Sequence, residues 1–183
     1  MSDWLKGELV RLAAQNPETD AELFAQWSHD GAYLRLLDTD PARGLTLKQA
    51  KEMLEEEIKD HQFRFMIRTL TEDRAIGFVG MWVNWLNDEG WIGIGIGEPE
   101  FRGKGYGTDA MRVILRFAFT ELNLHRVSLG LFAYNERALR SYEKAGFVLE
   151  GRTRHDVYRD GTRGDSLWMG ILRTEWAEQK DEG

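Results

Sequence analysis

The sequence predicts a mixed α/β fold: a β-meander, then strand–helix–strand–helix–strand, then a hairpin. Three observations carry this. Phe63 to Leu70 alternates, with Phe63, Phe65 and Ile67 on one face, and Ala75 to Trp85 is rich in β-branched and aromatic residues. The run Arg102-Gly103-Lys104-Gly105-Tyr106-Gly107 separates the apolar stretch Ile92-Gly93-Ile94-Gly95-Ile96 from an amphipathic segment, Thr108 to Leu122. Asp160-Gly161 marks a tight hairpin turn before a last strand, Ser166 to Leu172.

Taken in order, Leu9 to Leu12 reads as a short opening strand. Asp20 to Ser28 reads as a helix with Leu23, Phe24 and Trp27 on one face. Thr46 and Gln49 make a capping box. The helix it opens is expected to run to about His61, with Ala50, Met53, Leu54 and Ile58 at helical spacing. Phe63 to Leu70 and Ala75 to Trp85 are the first two strands of the meander, and Asn87-Asp88-Glu89-Gly90 is the expected turn into the third, Trp91 to Ile96. Met111, Ile114, Leu115, Ala118, Phe119 and Leu122 share one face of the long helix after Gly105. Val127 to Phe132 is a strand, and Glu136 to Ala145 a helix ended by Gly146 at the left-handed cap position. Phe147 onward returns to strand.

At 183 residues the chain fits one domain, its core spanning about residues 8–176. The absence of Cys excludes disulfides, thiolate metal sites and cysteine nucleophiles. No basic region followed by an apolar stretch opens the chain, and no apolar run approaches the roughly 20 residues of a membrane span. A cytoplasmic protein is expected. A net charge of −7 argues against nucleic acid as the main partner. It is also what keeps a small domain in solution. His29, His61, His125 and His155 show no metal spacing, so no metal is expected.

Strand, glycine-rich turn and helix together point unpaired backbone N–H groups at an anion, usually a phosphate. A Walker loop needs four residues between its first Gly and the Gly-Lys pair; from Gly97 to Gly103 there are five, and Gly105 stands where the Mg²⁺-binding hydroxyl would be. Gly103, Gly105 and Gly107 give G-x-G-x-G, not the dinucleotide spacing G-x-G-x-x-G.

The R-x-x-G-x-G pattern after a mid-chain strand resembles the first signature of the GCN5-related N-acetyltransferases (GNAT). Asn135 through Tyr142 to Gly146-Phe147 resembles the second: an Asn, a helix carrying a Tyr, then Gly-Phe. Val157-Tyr158-Arg159-Asp160-Gly161 with Trp168-Met169-Gly170 is similar to the ribosomal-protein and spermidine acetyltransferase branch. The matching segments run from about Gly77 onward. The resemblance implies a mainly antiparallel sheet flanked by helices. It also implies a V-shaped opening between the central strand and the strand starting near Val127, where acetyl-CoA enters as acyl donor. Homodimers or higher homo-oligomers are common in such relatives.

On that resemblance the cofactor-binding residues are Ile94, Gly95, Ile96, Arg102, Gly103, Lys104, Gly105, Tyr106, Gly107, Thr108 and Asn135. The loop's N–H groups take the pyrophosphate. Arg102 and Lys104 are phosphate partners or solvated surface. Backbone N–H groups near Ile94 to Ile96 face the acyl oxygen. Asn135 holds the pantetheine arm, caps the following helix, or both. Strand parity puts Trp91, Gly93, Gly95 and Gly97 on one face, a bare backbone against which a thin chain can lie, or glycines admitting close helix packing.

The implied reaction is direct attack of a primary amine on a thioester. Tyr142 is the candidate general acid, since a phenol stays protonated at neutral pH; as a packed helix aromatic it would share a face with Ala138, Leu139 and Ala145. Trp91 occupies the region where many relatives carry a Glu, and Glu89 falls in the turn, so no base is assigned. The seven Trp are core by default, with Trp27, Trp82 and Trp85 alternatively lining an acceptor pocket. The acidic run Glu55-Glu56-Glu57 is a polyamine attractor or a wet helix face. The acceptor is a small-molecule or peptide amine. Another acyl-CoA donor, or a non-catalytic CoA-binding sensor, stays open.

Overall fold

The computed structural model describes residues 4–181. Its strands are β1 (Val10–Ala14), β2 (Gln62–Thr69), β3 (Ala75–Asn84), β4 (Glu89–Ile96), β5 (Arg126–Phe132), β6 (Val148–Arg159) and β7 (Thr162–Leu172). They form one sheet in the order β1-β2-β3-β4-β5-β7-β6. Only β4 and β5 run parallel; every other neighbouring pair is antiparallel. The helices are α1 (Pro17–Trp27), α2 (Gly31–Leu37), α3 (Leu47–Glu55), α4 (Tyr106–Thr120), α5 (Glu136–Lys144) and α6 (Arg173–Asp181). The mixed, mainly antiparallel sheet matches the expected fold. Among the described residues no helix is long and apolar enough to cross a membrane.

Local chemistry explains most boundaries. The Asn16 side chain accepts from the Glu18 N–H and Pro17 takes the first helical position, so α1 starts ahead of the expected Asp20. The Thr46–Gln49 capping box forms in both directions. The helix it opens stops at Glu55, not His61. Three consecutive carboxylates would crowd the negative end of the helix dipole there, and Ile58 is left exposed. The turn after β3 spans residues 85–88, with Asp88 at φ 49°, so Glu89 and Gly90 belong to β4 rather than to the turn. Asp160 and Gly161 both take positive φ, 51° and 75°, as the expected tight hairpin turn requires.

Two helices escaped the sequence reading. Asp30 caps α2 by accepting from the Tyr33 N–H at 3.0 Å, but Gly31 in its first turn conceals the helical pattern. Helix α6 follows β7 without a break, its first turn tied by the Leu172 N–H donating to Glu175 at 2.8 Å.

The sheet is covered on both faces. On one, Met111, Ile114, Leu115, Ala118 and Phe119 of α4 bury against Val79, Met81, Ile92, Leu129 and Met169. Each of these side chains except Ala118 contributes about 1.5–3 kcal/mol by leaving water. On the other, Trp27 and Tyr33 pack with Met66 and Ala75. There α3 docks on α1 through Ala21, Ala50 and Leu54.

The tryptophans divide between the two readings. Trp27 is core, its indole N–H donating to Glu98 at 2.8 Å, and so does not line an acceptor pocket. Trp85 sits in the turn after β3 with its ring 6.4 Å from Phe63. Trp82, Trp91 and Trp168 remain 39–41% exposed, on the half of the sheet face that α1 and α2 leave uncovered.

Candidate active site

Strands β4 and β5 pair over three rungs only, ending at Trp91↔Ser128. Beyond that point β4 continues with β3 alone and β5 with β7 alone. The two strands splay, and a cavity of about 950 Å³ fills the gap. Its wall brings together Ile94, Gly95, Ile96, Arg102, Gly103, Gly105, Gly107, Thr108, Asn135 and Tyr142. Lys104 is exposed and Tyr106 turns into the core against Phe101, ring centroids 5.1 Å apart; neither lines the cavity.

At one end the glycine-rich loop feeds α4. Gly103 and Gly105 take φ of +75° and +92°, which the loop's reversal into the helix requires and side chains resist. A side chain built on Gly103 meets nothing within 4 Å, so the loop surface is open. No side chain caps α4, and the N–H groups of Tyr106, Gly107 and Thr108 face outward at the positive end of a 15-residue helix. Arg112, Arg137, Arg140 and Lys144 line the same cavity. Sequence reasoning missed these four; the signal was their helical spacing, Arg137, Arg140 and Lys144 lying three and four apart. A polyanion with a thin extension fits this arrangement: helix N–H groups and basic side chains for phosphates, the splayed strands for the arm.

Asp109 in the first turn of α4 is only 5% exposed. It is satisfied by three backbone donors, the N–H groups of Glu8 at 3.1 Å, Leu9 at 2.8 Å and Val10 at 2.9 Å. The carboxylate is therefore spent on the chain itself. Thr108 and Ser141 share a hydroxyl–hydroxyl bond of 2.8 Å that ties α4 to α5.

Arg102 is not a free phosphate ligand. Its guanidinium donates to Ile96 O at 2.9 Å, Gly97 O at 2.5 Å and Asp30 at 2.8 Å, and stacks on the Tyr33 ring at 4.6 Å. Those bonds clamp α2 to the end of β4. The Tyr33 backbone N–H, then Arg102, hold the Asp30 carboxyl below its ordinary 3.8.

The glycine face of β4 is not bare along its length. A side chain on Gly95 would meet the Tyr33 hydroxyl, and one on Gly97 the Trp27 ring. These two glycines serve close helix packing; of the face proposed for a thin chain, only Gly93 stays away from the helices, its nearest neighbour being the Trp82 ring at 3.4 Å.

Asn135 caps α5, accepting from the Ala138 N–H at 3.2 Å, and donates to Leu36 O at 3.4 Å. Tyr142 is half-buried against the α4 core, its ring 6.2 Å from Phe147. Its hydroxyl has no hydrogen-bond partner among the described residues. Burial pushes the phenol up to about 12, so it holds its proton at neutral pH. Glu89 accepts from the Ser128 hydroxyl at 2.8 Å and pairs with Arg126 at 3.2 Å.

Comparison with known proteins agrees with this geometry. The family model for the acetyltransferase (GNAT) domain matches residues 11–148. The probable N-acetyltransferase YjcK of Bacillus subtilis is 34% identical over 70% of this chain and 71% of its own. The spermidine N(1)-acetyltransferase of Escherichia coli K12 is 35% identical over 46% of each chain. In fold, the crystal structure of spermidine N-acetyltransferase from Vibrio cholerae in complex with CoA and spermine superposes with a TM-score of 0.82, over 92% of this chain and 98% of that one, at 24% identity.

Proposed function

Because the chain belongs to the GNAT family of acetyltransferases, we propose that it transfers an acetyl group from acetyl-CoA to a primary amine, with Tyr142 as general acid. The observation that carries this reading is the splay after Trp91↔Ser128, which brings the glycine loop, Asn135 and Tyr142 into one wall.

When bound, acetyl-CoA supplies an activated acyl carbon on a thiol leaving group. The N–H groups of Tyr106, Gly107 and Thr108, with Arg112, Arg137 and Lys144 around them, hold the phosphates. The free edge of β4 from Ile94 to Ile96 offers backbone N–H groups to the acyl oxygen, where negative charge develops. Tyr142 gives its proton to the departing sulfur as the new C–N bond forms and the C–S bond breaks. The amine sheds its proton to water, from which the Tyr142 phenolate regains one, and an N-acetyl amine and CoA with a free thiol result. Asn135 stands beside the gap with its amide N–H on Leu36 O, where it orients the arm of the donor.

The acceptor is a primary amine on a polyamine, a peptide N-terminus or another small molecule; relatives named for spermidine support the first. Release of free CoA thiol across a panel of amines tests the reading. Saturable release with at least one amine is the expected result. Silence together with failure to bind acetyl-CoA overturns it.

A further inference from the structure

The half of the sheet face left uncovered by α1 and α2 carries three large rings. Trp82 and Trp91 are direct cross-strand partners on β3 and β4. Trp91 and Trp168 approach to 5.6 Å between centroids, tilted by 55°. All three line the cavity at the splay and remain 39–41% exposed. For side chains of this size that leaves about 300 Å² of indole surface in water, the scale of a functional apolar patch.

Glycines make room for them. A side chain on Gly93 would come within 3.4 Å of Trp82, and one on Gly130 within 2.9 Å of Trp168. Trp168 is fixed by its indole N–H donating to Thr153 at 2.6 Å. The rings thus lie over glycine positions of the sheet and leave the rest of their surface open to the cavity.

The cavity's carboxylates weigh against a polyamine as the best-fitting acceptor, because ammonium groups are held best by carboxylates free of other partners. Of the acidic residues lining the cavity, Asp109 serves three backbone N–H groups and Asp38 accepts from its own loop at Thr39 and Asp40. Glu8 lies at the α4 end, away from the rings. Glu89 and Glu150, beside the rings, are both held by Arg126, at 3.2 and 2.6 Å, so each is engaged although one guanidinium faces two carboxylates.

Building on the acetyltransferase reading, we propose that Trp82, Trp91 and Trp168 select the acceptor: a primary amine carried next to an aromatic ring, free or as the first residue of a peptide. The ring stacks on the indoles, and the amine at its edge meets the acyl group held at the free end of β4. Aromatic pairs of this kind gain beyond their buried area, whereas a polycation between the rings would lose water with the nearby carboxylates already engaged.

The test compares phenethylamine, a short peptide amide beginning with Phe, n-butylamine and spermidine as acceptors, by CoA-thiol release at saturating acetyl-CoA. Wild-type kcat/KM is expected to be at least about tenfold higher for one of the two aromatic amines than for n-butylamine or spermidine; which one leads identifies the source. Trp168→Ala and Trp91→Ala are expected to raise the KM of the aromatic amine about 5–20-fold and to remove most of its kcat/KM advantage over n-butylamine, leaving the KM of acetyl-CoA within about threefold. Trp168→Phe should restore most of the loss, which a folding defect would not, and melting temperatures check the fold of each variant. Spermidine turned over as well as the aromatic amines overturns the proposal, and so do variants that lower all four acceptors alike. No turnover of any amine with acetyl-CoA bound also overturns it. Failure to bind acetyl-CoA brings down the acetyltransferase reading itself.

Discussion

The Tyr33 hydroxyl occupies the space that a side chain on Gly95 would need: a methyl group there would lie 2.1 Å from the phenol oxygen. This contact sets how deeply α2 sits on the central strand. The same hydroxyl is buried with no hydrogen-bond partner, and burial raises its pKa. Gly95→Ala is expected to cost about 1–3 kcal/mol by overpacking, read from the urea midpoint. Tyr33→Phe removes an unsatisfied buried group and should be neutral or slightly stabilising. A double-mutant cycle should show the two changes coupled; simple additivity would mean the helix moves freely away from β4.

Tyr142→Phe should lower kcat about 10²-fold while the Kd for CoA, measured by calorimetry, changes less than about twofold. Unchanged turnover would remove Tyr142 from the mechanism. The pH dependence follows from its pKa near 12. The folded state holds this proton more tightly than the unfolded chain, whose phenol titrates near 10. Its contribution to stability is therefore complete below pH 10 and is lost as pH rises toward 12. Wild type should destabilise through that window more than Tyr142→Phe does, and activity should show no loss from phenol ionisation below about pH 11.

Gly105→Glu puts a carboxylate at the open end of α4 and should weaken CoA binding more than tenfold. Gly105→Ala carries the same penalty of a side chain at φ +92° without the charge. The difference between the two variants, by calorimetry at low and at moderate salt, isolates the electrostatic part. Equal affinity in wild type and Gly105→Glu would displace the phosphates from this loop.

Arg102→Ala should act on stability rather than on CoA. Losing a guanidinium that makes three hydrogen bonds and stacks on Tyr33 should cost about 2 kcal/mol, roughly 4–8 °C in melting temperature for a domain of this size. CoA affinity should stay within about threefold. A large loss of affinity with an unchanged melting temperature would return Arg102 to the phosphates. Because Asp30 is held below 3.8, its share of stability is present above that pH and is lost as pH falls further. Asp30→Asn should lack this acid-side loss.

The residues that were legible from sequence are those whose role depends on the backbone nearby. Gly146 takes the left-handed conformation its cap position demanded, and Gly103 and Gly105 form the expected glycine-rich turn with positive φ. Asn135 caps its helix, and the apolar face of α4 is buried as its spacing required. What stayed hidden depends on partners far along the chain. Nothing around Arg102 says that its charge is spent on Asp30, 72 residues away. The alternation of glycine and isoleucine in β4 is the same whether helices or solvent cover the glycine side. Trp91 and Trp168 were read as core because size favours burial, yet with Trp82, for which a pocket position was the alternative, they stand where the sheet runs past the reach of α1 and α2. The pairing of Trp91 with Gly93 and of Trp168 with Gly170 on alternating strand positions was the one local hint.

The carboxylate of Asp109 has its partners 99 to 101 residues earlier in the chain. The start of β1 and the first turn of α4 therefore complete each other only after a long loop has closed, a slow kind of contact in folding. A growing chain exposes residues 8–10 long before their acceptor is made, and α4 begins with a bare anion in its first turn until they arrive. The proposed phosphate loop therefore leads into a helix whose first-turn anion is satisfied only from residues 8–10, so deleting those residues would be felt a hundred positions away.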